Sequence, residues 1–186
     1  MGWSSILGLI AGYYGGWIDT VIMRLGDIQL AFPFVLLALA IMGVLGPGVK
    51  NVIICAMITG CVKYVRVIRA DVLKAKQSEY IMAAKALGLS DFLILRQIFV
   101  NCFSSALVTG TLETGRIILM ESSLTFLGLG VPSEVPTWGT MLADSRTYMV
   151  SSPWLAIVPG IAITITVLAV NLFGDWLRNR LDPKSV

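Results

Sequence analysis

The sequence predicts an all-α membrane protein with several spans, and three observations lead to this fold class. The 186-residue chain is 56% hydrophobic and 13% charged, with a mean hydropathy of +0.84, whereas charged residues make up about a quarter of a soluble domain. Its apolar residues come in long runs, such as 34–45 and 155–173, without the alternation of polar and apolar residues that a barrel strand shows. Backbone polar groups in lipid must be satisfied within the chain, so such runs predict spanning helices.

The first apolar segment, residues 6–11, is about half as long as a membrane span. No cleavable signal peptide is evident before it. We expect that the spanning helix to which it belongs starts in residues that would precede Met1, so that the chain is truncated at its amino terminus. A short re-entrant or interfacial segment is the alternative.

The second apolar segment, residues 28–45, predicts a complete span. Arg24 and Asp27 lie at its entry and are interpreted as interfacial anchors, and the helix-breaking sequence Gly-Pro-Gly at 46–48 ends it. Pro33 lies inside the segment and predicts a kinked or loosened helix.

Two further spans are predicted at residues 49–68 and 98–120. The basic residues Lys63, Arg66 and Arg69 lie in or just after the second half of the first of these. We expect them to extend to the interface or to mark the end of the span.

Residues 155–172 predict the last span, since they carry no charge and lie between Trp154 and Trp176. Pro159 near its start predicts a kink. With the partial first helix, the sequence predicts about five membrane segments in one transmembrane domain over residues 1–186.

The basic residues are distributed unevenly between the loops. Residues 63–96 contain seven Lys or Arg and the carboxyl-terminal tail contains three, of which Lys184 is the last, whereas the loop 128–153 has only Arg146. Short basic loops remain in the cytoplasm. We therefore expect the first loop and the carboxyl terminus on the cytoplasmic side, and the loop 128–153 outside.

Residues 74–97 predict a helix–turn–helix on the cytoplasmic side. Ser78 suits the N-cap of its first helix, and Gly88 suits the position just after the end of that helix. Ser90 can cap the second helix, with Asp91 at its start.

One face of the first helix is suited to contact another surface. Tyr80, Ala83, Ala84 and Leu87 share this face by their spacing, and the two alanines would let a partner approach the backbone closely. A short helix docked in a groove of a partner protein has this pattern. The spacing alone favours the other interpretation, an amphipathic helix that lies on the bilayer.

The loop resembles the EAA loop of bacterial ABC-transporter permeases, in which a Glu-Ala-Ala triplet precedes a glycine and a basic, apolar helix follows. Ala83, Ala84 and Gly88 match that pattern. Further matches cover essentially the whole chain and resemble the C-type permease subunit of the dipeptide, oligopeptide and nickel importer family. They are the segments 9–17, 23–25, 31–33, 45–48, 124–130, 138–144, 153–156 and 181–183.

This resemblance implies the fold of a type I ABC importer permease and a role in the uptake of peptides or nickel across a bacterial inner membrane. It also implies a second permease subunit in a heterodimer, two cytoplasmic ATPase subunits and an external substrate-binding protein. The loop would couple to an ATPase through Tyr80, Ala83, Ala84, Leu87 and Gly88. Closure of the ATPases around nucleotide would then be transmitted to the membrane gate as a rigid-body movement.

The sequence departs from the family pattern at three positions. Met82 stands where the family has the glutamate of the triplet. Gln97 stands where a histidine is usual near the second helix, and Val100 stands where a proline is expected before Asn101. The missing glutamate removes one charge that could pair with the ATPase. The family also has another amino-terminal membrane helix and most of the next one, for which no residues are present before Ile6.

Glu113, Arg116 and Glu121 are ionisable residues within or at the end of the fourth span. Glu113 and Arg116 are three residues apart and are expected to pair on one helix face. A structural pair, facing the partner permease, is favoured over a substrate ligand. Glu121 matches a position that is usually acidic in the family and is expected near the external gate.

The residue inventory argues against an enzyme. The chain has no histidine, no phosphate-binding loop of the GxxxxGK[ST] type, and no nucleophile with acid–base partners at suitable spacing. We therefore predict no catalytic site, no metal site, no bound cofactor and no nucleic-acid partner, and expect ATP to be hydrolysed by the partner subunits. Cys55, Cys61 and Cys102 are interpreted as small buried residues. The alternative function is a truncated scaffold or channel subunit that does not transport.

Overall fold

The computed structural model describes residues 2–181, which form helices and connecting turns without a strand. Asp182 and Lys184 of the predicted basic tail lie outside the described residues, as does most of the segment 181–183. The helices are α1 Gly2–Tyr14, α2 Gly16–Leu30, α3 Phe34–Leu45, α4 Val49–Lys76, α5 Glu79–Ala86, α6 Asp91–Phe126, α7 Trp138–Ser145 and α8 Trp154–Leu181, with a 3₁₀ turn at Arg146–Tyr148 after α7.

The all-α membrane fold is confirmed, with fewer spans than the predicted number of about five. Among residues 2–181, three helices are long and apolar enough to cross a membrane, namely α4, α6 and α8. The number rises to four if α2 and α3, which are bent at the break between them, count as one broken span. The segment 6–11 belongs to α1, which has 13 residues and is too short to span alone.

The span predicted over residues 28–45, with a helix kinked or loosened at Pro33, is divided between two helices. Residues 28–30 are the end of α2, and a new helix, α3, starts at Phe34. Pro33 occupies the N-cap of α3 with φ −55° and ψ 131°, because its ring excludes a helical continuation and it has no N–H to donate. The predicted effect of Pro33 is therefore confirmed in a stronger form, as a complete break.

The second helix of the predicted helix–turn–helix and the span predicted at residues 98–120 form one continuous helix. Both belong to α6, which runs unbroken from Asp91 to Phe126. No proline lies in this range, and Gly115 packs closely against α8, since an added Cβ would lie 3.2 Å from Cγ1 of Val167. The predicted last span is confirmed as part of α8, which continues through Pro159.

The described residues form two compact units, each with its own core. The first comprises residues 2–31, 60–110 and 175–181, and the second comprises 32–59 and 111–174. The core of the first unit contains Tyr13, Ile68, Val72, Ile81, Ala84, Ile94, Ile98 and Cys102. The core of the second contains Ala38, Met42, Val52, Cys55, Met120 and Leu124. Two of the three cysteines, Cys55 and Cys102, are thus buried as predicted, and Cys61 is partly buried.

In the first unit, α4 packs closely against α1 at two glycines. A Cβ added to Gly8 would lie 2.8 Å from Cβ of Ile68, and one added to Gly12 would lie 2.7 Å from Cβ of Val72. Small residues four apart allow such a close approach of two helices.

Two basic residues in the second half of α4 form ion pairs with acidic residues of α2. Arg69 forms two hydrogen bonds with Asp19, at 2.5 and 2.6 Å, and Arg66 pairs with Asp27 at 2.5 Å. Two of the three basic residues expected to extend to the interface are therefore neutralised within the chain, and Asp27 is an ion-pair partner as well as a residue near the end of its helix.

A candidate docking groove and a candidate carboxylate pocket

Helix α5 is positioned by its two ends. Ser78 is the N-cap residue as predicted, but its hydroxyl donates to the carbonyl of Ala75 at 2.5 Å instead of accepting a bond from the helix. Gly88 follows the helix end with φ +75°. Its N–H donates to the carbonyl of Lys85, and the N–H of Leu89 donates to that of Ala84, which is the Schellman arrangement. The predicted role of Gly88 in ending the helix is confirmed.

The two faces of α5 have different surroundings. Ile81 and Ala84 lie in the core of the first unit, with 0% and 6% of their surface exposed. Tyr80 and Leu87 are 46% and 80% exposed, and Ala83 is also exposed. Of the two alanines expected to let a partner approach the backbone, only Ala83 is exposed, because the side chain of Ala84 packs inward.

A groove of about 860 Å³ runs between α5 and the first turns of α6. It brings together four of the five residues predicted for docking, Tyr80, Ala83, Ala84 and Leu87, with Ala84 contributing only its small exposed fraction. The remaining lining residues are Leu89, Leu93, Arg96, Gln97, Val100 and Asn101.

The α6 wall of the groove could not be assigned from the sequence. Residues Ile94 and Ile98 of α6 are buried in the core, so the neighbouring positions of the same helix turn towards the groove. Two of the three departures from the family pattern, Gln97 and Val100, lie on this wall. The two walls are joined by one hydrogen bond, in which Nδ2 of Asn101 donates to the hydroxyl oxygen of Tyr80 at 2.7 Å.

Tyr13 at the end of α1 supports the groove from the core side. Its hydroxyl donates to Oδ1 of Asp91, the first residue of α6, and the ammonium groups of Lys76 and Lys85 lie 5.6 and 5.7 Å from the centre of its ring. Burial, followed by the hydrogen bond to Asp91, raises the pKa of Tyr13 to about 12. Sequence reasoning missed this residue, because 78 positions separate it from its partner.

In the second unit, Glu113 and Arg116 pair as predicted, with 3.4 Å between Oε2 and the guanidinium nitrogen. Glu113 is buried, and the guanidinium of Arg116 lies 3.6 Å from the centre of the Phe34 ring. The pair is thus held within the chain by an ionic and a cation–π contact.

Glu121 lies in a separate polar cluster near the end of α6. Its Oε1 accepts hydrogen bonds from the hydroxyls of Thr125 at 2.9 Å and Thr137 at 3.2 Å. Its Oε2 accepts one from Ser122 at 3.3 Å. A cavity of about 530 Å³ opens beside it, lined by Ile117, Ile118, Glu121, Pro136, Thr137, Trp138 and Met141.

The predicted loop 128–153 contributes a short helix, α7, to this pocket. Thr137 is the N-cap of α7, and it forms a capping box with Thr140 in which each hydroxyl accepts the backbone N–H of the other residue. Gly139 packs so closely that an added Cβ would lie 2.9 Å from Cβ of Thr125 and 3.0 Å from Cα of Ser122. The hydroxyl contacts of Glu121 are therefore fixed by tight packing.

Comparison with known proteins gives one consistent result. A family model described as "Binding-protein-dependent transport system inner membrane component" matches residues 4–186. The chain is 45% identical over 181 residues to the dipeptide transport system permease protein DppC of Alkalihalophilus pseudofirmus, covering 97% of this chain and 60% of the relative. It is also 45% identical over 181 residues to the glutathione transport system permease protein GsiD of Pectobacterium atrosepticum, with the same coverage. A third relative, GsiD of Escherichia coli O157:H7, is 46% identical over 173 residues, with 92% of this chain and 57% of the relative covered. The chain thus spans about 60% of the length of the curated relatives it matches.

Proposed function

Because the chain belongs to the family of binding-protein-dependent transport system inner membrane components, we propose that it is a membrane-spanning permease subunit of an ATP-driven importer. It is a multi-pass inner membrane protein of the kind the sequence resemblance indicates. The names of its relatives favour short peptides, including glutathione, as substrates. Nickel, which the resemblance also allowed, remains a second candidate cargo.

The groove between α5 and α6 carries this proposal. Its exposed apolar side chains, above all Leu87 and Tyr80, offer area that a protein partner would remove from water. The small side chain of Ala83 lets that partner approach the backbone of α5. We therefore propose that the groove and α5 together receive a separate ATPase subunit, which supplies the hydrolysis of ATP that this chain does not perform.

The uneven distribution of Lys and Arg between the loops indicates which side of the membrane the groove faces. Seven basic residues lie between positions 63 and 96, a stretch that includes α5 and the start of α6, and short basic loops remain in the cytoplasm. We propose that the groove and the carboxyl terminus face the cytoplasm and that the loop 128–153 faces outward. A second permease subunit, two ATPases and an external binding protein complete the proposed importer.

Co-purification with the ATPase tests the proposal through two neighbouring substitutions. Leu87→Glu places a charge on an exposed groove residue, whereas Ala86→Glu places it on an exposed residue outside the groove. We expect Leu87→Glu to reduce recovery of the ATPase at least 10-fold and Ala86→Glu to leave it nearly unchanged. Equal recovery with both variants would contradict docking in the groove.

Uptake of a labelled dipeptide by vesicles tests transport itself. An importer requires ATP, so uptake by vesicles with wild-type chain should stop without nucleotide, and it should fall with Leu87→Glu in proportion to ATPase recovery. Uptake that is independent of nucleotide would instead indicate the channel alternative.

A further inference from the structure

We propose that the cavity beside Glu121 binds a primary ammonium group carried by the transported substrate, such as the amino terminus of a short peptide. This site rests on the proposed transport function, and it adds a substrate-recognition role to a residue that was expected only near a gate. Three features of the second unit suit this ligand: the hydrogen-bond partners of the carboxylate, the lining of the cavity and the rigidity of the surrounding residues.

The first feature is a carboxylate that has hydroxyl partners but no cation. Within residues 2–181, the polar contacts of Glu121 are the hydroxyls of Thr125, Thr137 and Ser122. Glu113, on the same helix, instead has the guanidinium of Arg116. A carboxylate in a membrane protein is costly unless it is compensated. Oε2 accepts one bond, at 3.3 Å, and a carboxylate oxygen has two lone pairs, so it retains capacity for an incoming donor.

The second feature is the lining of the cavity. Trp138 lines the cavity, and an indole ring attracts a cation that lies over its face within about 6 Å of its centre. Ile117, Ile118 and Met141 provide apolar area for the rest of the ligand. The volume of about 530 Å³ is suited to a small molecule, since such sites typically measure about 300–1,000 Å³. The carboxylate and the aromatic ring would attract a primary ammonium group, and the apolar walls would contact the side chain of an apolar residue that carries it.

The third feature is the rigidity of the frame around the carboxylate. Oε1 of Glu121 is held by two threonines, one of which is the N-cap of α7. The close packing of Gly139 prevents α7 from shifting towards α6. A charge fixed before the ligand arrives loses less entropy on binding, so it discriminates better between ligands with and without an ammonium group.

Ligand binding to the purified chain in nanodiscs tests the site without any transport step. The probes are leucine amide, which has a free ammonium group, and N-acetylleucine amide, which has the same side chain and no charge. We expect leucine amide to raise the unfolding temperature and N-acetylleucine amide to have little effect. Glu121→Gln should weaken the binding of leucine amide at least 10-fold. The control is Glu134→Gln, because Glu134 is an exposed carboxylate in the turn between α6 and α7 that does not line the cavity.

The outcomes separate the site from the function on which it rests. Equal binding of the two probes, or equal binding by wild type and Glu121→Gln, would show that Glu121 only anchors α7, and it would overturn the proposal. If wild-type vesicles take up dipeptide with ATP while Glu121→Gln has an unchanged KM, the importer stands and the site fails. If Glu121→Gln lowers only the affinity for the external binding protein, the ammonium belongs to a lysine of that protein, which also contradicts the proposal.

Discussion

The groove in the first unit and the pocket in the second differ in the polarity of their lining and in how firmly their residues are held. The groove is lined by exposed apolar side chains, and one hydrogen bond, between Asn101 and Tyr80, joins its walls. The pocket surrounds a carboxylate whose hydroxyl partners are held by closely packed backbone. The difference indicates different ligands: a surface that can adapt suits another protein, whereas a fixed charge suits a small molecule of defined chemistry.

The largest effect is expected at Gly130, which packs against Thr125, a hydroxyl partner of Glu121 beside the pocket. A Cβ added to Gly130 would lie 2.6 Å from Cα of Thr125, and backbone at that distance cannot move aside. We expect Gly130→Ala to lower the free energy of unfolding by about 3 kcal/mol, measured by thermal unfolding in detergent. The control is Gly43→Ala in α3, where an added Cβ meets nothing within 4 Å. If both variants are as stable as wild type, the residues around the pocket are not packed more rigidly than those of the groove.

Removal of the Tyr13 hydroxyl tests whether the groove depends on support from the core. Tyr13→Phe eliminates the hydrogen bond to Asp91, and bonds to a charged group are worth about 1.5–3 kcal/mol. We expect a loss of that size in unfolding experiments, together with faster proteolysis between α5 and α6.

The difference in stability between wild type and Tyr13→Phe is expected to decrease at high pH. The folded state raises the pKa of Tyr13 from 10.0 to about 12, so the stability it contributes is fully present below pH 10 and is lost as the pH rises from 10 towards 12. The difference between wild type and Tyr13→Phe should therefore be constant from pH 6 to 9 and shrink above pH 10. A difference that already changes near neutral pH would assign the effect to another group.

A smaller effect is expected from the turn that ends α5. Gly88 has φ +75° but open space around it, so Gly88→Ala introduces backbone strain without a steric clash. The expected cost is about 1–2 kcal/mol. Gly88→Asn, which tolerates a left-handed backbone better, should recover part of this loss in the same unfolding measurement. Equal losses for the two variants would indicate that the strain does not arise from the backbone angle.

The smallest effect on stability is expected at the hydrogen bond between Asn101 and Tyr80, which joins the two walls of the groove. Tyr80→Phe removes the hydroxyl that accepts from Asn101, and both residues are exposed. We expect less than about 1 kcal/mol in stability and a reduction of ATPase recovery of about threefold or less. A loss as large as that of Leu87→Glu would mean that the groove needs a fixed shape, as the pocket does, and the contrast between the two sites would disappear.

Much of the fold could be predicted because it depends on local signals. Apolar length located α4, α6 and α8, and the positive φ required after a helix end identified Gly88. The spacing in α5 gave the groove-facing residues, but it could not show that Ala84 turns inward, because Ala84 belongs to a core that also contains residues of α1 and α4, such as Tyr13 and Ile68. The same limit applies to Glu121, whose partner Thr137 lies 16 positions away in the chain. Contacts between segments distant in the chain therefore account for most of what the sequence did not reveal.

The ion pairs between α2 and α4 have a consequence for the order of events during synthesis. Asp19 and Asp27 leave the ribosome before their partners Arg69 and Arg66, which follow 50 and 39 residues later. At a synthesis rate of about 5–20 residues per second, each carboxylate waits roughly 2–10 s for its guanidinium. During that interval α2 carries uncompensated charge and is poorly suited to enter lipid alone. Insertion of α2 is thus expected to be delayed until α4 emerges, so that these two ion pairs form before the two helices enter the bilayer.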